Sequence, residues 1–182
     1  MVWSKGSPNC EYQMSNVDPV KKLQERFPDA VGDVEERSAA RTYVAIVPSE
    51  VRDIATFMFV EMEARFIILT GLETRAGMEL LYHFSFDSLG KIVTLRTVVL
   101  MPEPKIDSIA TIIDGAEYAE REIRDLFGVE FVGHPNPARF ILADDWPEGV
   151  YPYRKEYRDQ YPFRTEEEQE EVRCQIRRKG TI

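Results

Sequence analysis

The stretch MELLYHFSFDSLGKIVTLRTVVLM, residues 78–101, decides the fold. In its first half Met78, Leu80, Tyr82, Phe84 and Phe86 fall on alternate positions. In its second half Val93, Leu95, Val99 and Met101 do the same. A period of two places each set on one face of a strand. Asp87-Ser88-Leu89-Gly90 between them is a turn-like tetrapeptide, so an antiparallel hairpin is expected.

Working upstream, Arg65 to Thr70 is a continuous apolar run, which suits a strand in the middle of a sheet. Before it, Pro48 and Ser49 open a helix whose apolar stripe is Val51, Ile54, Ala55, Met58, Phe59 and Met62. Residues 31–37 and 42–47 read as two short strands. Asp18 followed by Pro19 is an N-cap with proline in the first turn, and Val20, Leu23 and Phe27 share a face of the helix it starts. Downstream, Asp107 is expected to cap a helix ending near Asp114-Gly115. Another helix follows, with Ala119, Ile123, Leu126 and Phe127 inward and Gly128 as its stop. The alternation of helices and strands argues for an α+β domain, a mostly antiparallel sheet with helices packed on it.

The periodicity ends at about Val132. Prolines follow at 135, 137, 147, 152 and 162, and aromatics at 140, 146, 151, 153, 157, 161 and 163. Disordered segments are poor in aromatics, so this stretch is expected to be an extended arm that lies along another protein, since aromatics and arginine are enriched in interface cores. Residues 165–179 carry five glutamates before Arg177, Arg178 and Lys179, a charge order that suits a helix dipole. The expected organisation is an irregular leader at 1–16, an α+β domain at 17–131, and a docking arm with an acidic tail at 132–182.

A formal charge of −9 argues against nucleic acid as a partner and against attraction to anionic lipid. Apolar runs are strand-sized, well short of the ~18 residues of a membrane span. The first residues lack the apolar core of a signal peptide, so a cytoplasmic location is expected. Cys10 and Cys174 are too few to hold a metal or cluster alone.

The densest charged patch is Glu120-Arg121-Glu122 with Asp125. Paired carboxylates could handle protons. Alternatively, Glu117 to Arg121 and Glu120 to Arg124 have the i, i+4 spacing of ion pairs along a solvated helix face. His134 and His83 are isolated and read as hydrogen-bonding groups. Asp144-Asp145-Trp146 before Pro147 reads as a turn, and two carboxylates are too few for calcium. Arg154-Lys155 is a basic pair fit for docking. No phosphate-binding glycine motif is present.

Glu120-Arg121-Glu122-Ile123-Arg124-Asp125-Leu126-Phe127-Gly128 runs on to Phe131, Gly133-His134-Pro135, Arg139, Asp144-Asp145-Trp146 and Pro152-Tyr153-Arg154-Lys155-Glu156-Tyr157. This block resembles the C-type, thirty-kilodalton subunit of respiratory complex I, a family that includes subunits of membrane-bound hydrogenases and ferredoxin-linked complexes. The resemblance implies a peripheral-arm scaffold subunit on the cytoplasmic side of the membrane, with no catalytic, cofactor-binding or metal-binding residue of its own. Its expected partners are a large hydrogenase-like subunit and a small iron–sulfur subunit, with membrane subunits reached indirectly. Those partners would carry iron–sulfur clusters and, in the hydrogenase branch, a nickel–iron centre. Glu120, Arg121, Glu122 and Asp125 would anchor the arm; His134, Arg139, Asp145, Trp146, Arg154 and Lys155 would make its contacts. Tyr118 stands where the family usually has tryptophan, Ala138 where an arginine is common, and Glu156 where an aspartate is. These departures, with a short 71–77 turn, favour the ferredoxin-linked hydrogenase branch over the quinone-reducing one. Two readings from other classes stay open: an enzyme using Glu120, Glu122 and His134, and a regulatory module binding a small acidic metabolite.

Overall fold

A computed structural model describes residues 18–160. The expectations for the leader at 1–16, the charged tail at 165–179, and Cys10 and Cys174 concern residues outside that range.

The hairpin forms as its alternation demands. Strands β4 (Met78–Phe86) and β5 (Lys91–Val99) pair antiparallel from Met78 opposite Val99 to Phe86 opposite Lys91. Met78, Leu80, Tyr82, Phe84 and Leu95 are all 0% exposed. Strand β5 stops at Val99, and Met101, expected on the same face, lies beyond it, partly exposed.

Strands β1 (Val31–Ser38), β2 (Arg41–Ile46) and β3 (Arg65–Glu73) complete a five-stranded sheet in the order β1-β2-β5-β4-β3. Every neighbouring pair is antiparallel except β2 and β5. The chain is therefore α+β with a mixed, mostly antiparallel sheet.

Strand β3 is at the edge of the sheet, not in its middle. Short connections force β3, β4 and β5 into a meander, and β2 takes the free side of β5, which leaves β3 outermost. A bulge between Phe66 and Ile68 breaks its alternation. Ile67, Ile68 and Leu72 consequently remain exposed.

Helix α1 (Pro19–Arg26) starts where Asp18 accepts a hydrogen bond from the Val20 N–H. The second helical segment begins as a 3₁₀ turn at Pro48–Glu50, continues as α2 (Val51–Thr56), and closes with a π turn at Phe57–Glu61. The wider π turn rotates the register, so Phe57 enters the core and the expected Phe59 faces outward. Phe57 meets Phe27 edge to face, with centroids 5.6 Å apart.

No helix starts at Asp107. Lys105–Asp107 is strand β6, paired in parallel with β7 (Glu130–Val132), and residues 108–115 form turns. The amide and hydroxyl that would open a helix there are held by a distant carboxylate, described below.

Helix α3 (Ala116–Phe127) ends at Gly128, whose φ of 72° is in the left-handed region. Ala119, Ile123, Leu126 and Phe127 are buried against the sheet as expected. It packs tightly on β3, where a Cβ added at Gly71 would lie 3.0 Å from the Ile123 side chain. A short helix α4 (Lys155–Gln160) follows the arm. No helix among the described residues is long and apolar enough to cross a membrane.

Candidate functional site

Helix α3 carries the candidate residues on several sides, because successive positions rotate by about 100°. Glu120 points inward. It is 0% exposed, and its Oε1 accepts the Ile109 N–H at 2.8 Å while Oε2 accepts the Ser108 hydroxyl at 2.5 Å. Those two bonds turn residues 108–110 away from helix. Burial pushes the Glu120 carboxyl up to about 7, against the opposing pull of its two hydrogen bonds and of Arg52.

His134 brings its Nε2 to 3.8 Å from Glu120 Oε2. Its Nδ1 accepts the Asn136 N–H at 3.0 Å, so the ring proton belongs on Nε2, which donates to the Glu117 carbonyl at 3.2 Å. Glu120 thus faces an imidazole whose two ring nitrogens are already engaged. The Tyr82 hydroxyl is buried with no hydrogen-bond partner among the described residues. Burial and the nearby Glu120 and Asp107 carboxylates raise its pKa well above that of a free phenol.

Asp125 turns toward the arm. Its Oδ2 accepts the N–H groups of Phe140, Ile141 and Leu142 at 2.8, 2.8 and 3.2 Å. Arg121 donates to the Ala138 and Arg139 carbonyls at 2.9 and 2.8 Å, and lies over the Phe140 ring. Three consecutive amides and two consecutive carbonyls of one loop are thereby held by two side chains of one helix.

The end of α3 holds the next part of the arm. The last carbonyls of a helix lack intrahelical partners. Here Leu126 accepts the Tyr153 N–H at 3.1 Å, and Phe127 accepts Arg154 Nε at 2.6 Å. Arg154 also stacks on Tyr151. Tyr151 packs so closely on Gly128 that any Cβ there would lie 2.3 Å from its ring.

The remaining sequence candidates sit further out. Arg139 donates to the carbonyls of Ala143, Asp144 and Trp146, closing its own loop. Trp146 donates from Nε1 to the Val150 carbonyl. Lys155 donates its backbone N–H to Glu73 at 2.6 Å. Asp145 is exposed in the turn.

Glu122 is about 200° around the helix from Glu120 and takes no part in the Glu120–His134 pair. The three acidic residues therefore do not converge as a proton-handling cluster. Of the two expected helix ion pairs, Glu117–Arg121 forms at 3.7 Å, whereas Glu120 is buried and does not reach Arg124. His83 is hydrogen-bonded between Thr70 and Thr94.

Residues 138–142, 153 and 154 of the stretch past Val132 are held by hydrogen bonds to the chain's own helix α3. The outward side chains of this assembly are nevertheless apolar: Tyr118, Phe140, Ile141 and Tyr153 are each between 44 and 62% exposed. Tyr118 and Phe140 sit together, with centroids 5.2 Å apart.

Sequence reasoning missed Ser108, Tyr151 and Arg124 as members of this site. Ser108 and Tyr151 give no local signal, since their roles depend on Glu120 and Gly128 in space. Arg124 lines a cleft of about 740 Å³ between α3, β6, β7 and the arm.

Residues 44–163 match the family described as respiratory-chain NADH dehydrogenase, 30 Kd subunit. The C subunit of NADH-quinone oxidoreductase from Roseiflexus sp. (strain RS-1) is 34% identical over 79% of this chain and 84% of that protein. The hydrogenase-4 component G of Escherichia coli (strain K12) is 28% identical over 79% of this chain, which spans 26% of that longer protein. Among solved structures, a chain of the membrane-bound sulfane sulfur reductase, an archaeal respiratory membrane complex, superposes with a TM-score of 0.68 at 25% identity, covering 78% of this chain and 88% of that one.

Proposed function

This chain belongs to the family of the 30 kDa subunit of respiratory-chain NADH dehydrogenase, and from that premise we propose that it is a non-catalytic scaffold subunit of a membrane-bound, ion-translocating redox complex. The observation that carries the reading is the construction of the arm. Arg121, Asp125 and the α3 carbonyls fix its backbone from within. That leaves Tyr118, Phe140, Ile141 and Tyr153 presented to the outside on a pre-set frame. A held apolar surface costs little conformational entropy when it is covered, which is what a docking face requires.

In this reading Glu120, Arg121, Asp125, Arg139 and Arg154 position the interface, while the exposed aromatics and Lys155 touch the partner. The partners would be a large hydrogenase-like subunit and a small iron–sulfur subunit. Electron carriers would belong to those subunits, and the chain would be held on the cytoplasmic face through them. The ferredoxin-linked hydrogenase branch is the one we propose. It is supported by the likeness to hydrogenase-4 component G, and by Tyr118, Ala138 and Glu156. The Roseiflexus relative speaks for the quinone branch.

The test is to replace Phe140 and Ile141 together by aspartate, tag the chain, and purify its complex from the native membrane. Both side chains are about half exposed, so the chain itself should stay folded. Loss of the large and small subunits from the preparation is expected; their recovery in normal ratio would refute the docking face. Reduced ferredoxin should drive hydrogen evolution by the intact complex. Quinone reduction without hydrogen evolution would move the chain to the other branch.

A further inference from the structure

Beside the exposed aromatics lies the 740 Å³ cleft. Three guanidinium groups, Arg121, Arg124 and Arg154, line it, with walls that include Pro102, Pro104 and Pro137. Lys105 at its edge is already paired with Glu103 and Glu130. Arg121 spends Nε and Nη2 on backbone carbonyls and pairs Nη1 with Glu117, and Arg154 spends Nε on the Phe127 carbonyl. Arg124 is different. It is half-buried and lines both this cleft and the adjoining one under Trp146. Its guanidinium forms no hydrogen bond or ion pair with any described residue, while its backbone carbonyl accepts the Gly128 N–H.

A guanidinium has five donors in a planar fork matched to carboxylates. Leaving one half-buried and unpaired is costly unless something supplies the counter-charge. Glu103, Glu120 and Glu130 line the cleft too, but Glu103 and Glu130 face Lys105 and Glu120 is bonded inward to Ser108 and Ile109. The unmatched charge on its wall is therefore cationic, against a chain of net charge −9. A flat anionic bilayer would meet that negative surface before reaching a recessed cleft. A narrow acidic strand would not.

We propose that this cleft seats an acidic peptide segment of a neighbouring subunit, with Arg124 as its main anchor and the outer donors of Arg154 flanking it. The inference deepens the scaffold reading and rests on it. Arg154 is held in place by stacking on Tyr151, itself seated on Gly128, so the cationic wall is pre-formed.

The test places a photo-crosslinking amino acid at Val132, which lines the cleft and is 46% exposed, in the full chain within its native complex. Cross-linked peptides are then identified by mass spectrometry. The expected product joins Val132 to a segment, from another protein of the complex, that bears at least two nearby carboxylates. Arg124→Glu should lower that yield by about tenfold or more, with the melting temperature of the free chain unchanged. Arg124→Gln, expected to give a smaller loss, serves if the charge reversal unfolds the chain.

Cross-links to lipid, to the glutamates at 166–171 of the same chain, or to a peptide without carboxylates would overturn the proposal. So would a yield indifferent to Arg124, or none at all. In each of those cases co-purification of the partner subunits with the parent chain leaves the scaffold reading standing. Absence of any partner subunit would sink both.

Discussion

Replacing Glu120 by glutamine should make the chain more stable at neutral and alkaline pH, by an amount that grows with pH. The Glu120 carboxyl is buried and titrates near 7, against an ordinary value of 4.5. A pKa raised in the folded state means that folding binds the protonated form more tightly. The stabilisation is full below the unfolded value near 4.5, and is lost as pH rises through 7. The difference of about two and a half units, at about 1.4 kcal/mol each, corresponds to roughly 3 kcal/mol between the two limits.

Glutamine keeps the shape and removes the titration. It can still accept the Ile109 N–H and donate to the Ser108 oxygen. Urea unfolding of the full chain and of Glu120→Gln between pH 5 and 8.5 measures the gap, because titrating groups distant from Glu120 cancel in the difference. The variant should gain on the parent by about 2–3 kcal/mol over that range, with most of the rise at or below pH 7.5. A flat gap, or one that narrows as pH rises, would refute the burial argument.

Asp125→Ala should release three amides at once, costing about 1–3 kcal/mol. Hydrogen exchange at Phe140, Ile141 and Leu142 should quicken while the β4–β5 amides stay protected; unchanged exchange at 140–142 would contradict the geometry. Gly128→Ala puts a Cβ into the Tyr151 ring at a left-handed φ, so the melting temperature should drop by several degrees and Tyr151 fluorescence should change. Tyr82→Phe removes a buried hydroxyl that has no partner among the described residues, and should be neutral or stabilising by up to about 1 kcal/mol in thermal unfolding. A marked loss would mean that the hydroxyl has a role beyond its own contacts.

The hairpin at 78–101, α1 and α3 could be read from the chain because each is set by contacts within a few residues. Alternation put Tyr82 and Phe84 inward, and Gly128 marked the end of α3. The second helix was right in place but wrong in detail, since a π turn cannot be read from a 3.6-residue stripe and it moved Phe57 into the space expected for Phe59. The 107–114 segment failed because a cap signal at Asp107 was overridden by Glu120, twelve residues from Ser108. Strand order failed for β3 because an apolar run records how hydrophobic a strand is, not how many neighbours the connections allow it.

The candidate site divides in the same way. Residue types and spacing between 116 and 157 were enough to single out the charged helix, the loop residues and the aromatics. Whether Glu120 pairs with Arg124 on a wet surface or goes into the core is undecided by i, i+4 spacing, which serves both. That choice was made by Ser108, Ile109 and His134, which meet Glu120 only once the sheet and α3 have packed. The same packing turned Asp125 and Arg121 onto the arm and left Arg124 without a counter-charge among the described residues. Local sequence sets the periodicity and the stops, because those depend on near neighbours along the chain. Burial, ionisation and pairing depend on distant residues, so only the tertiary structure could decide them.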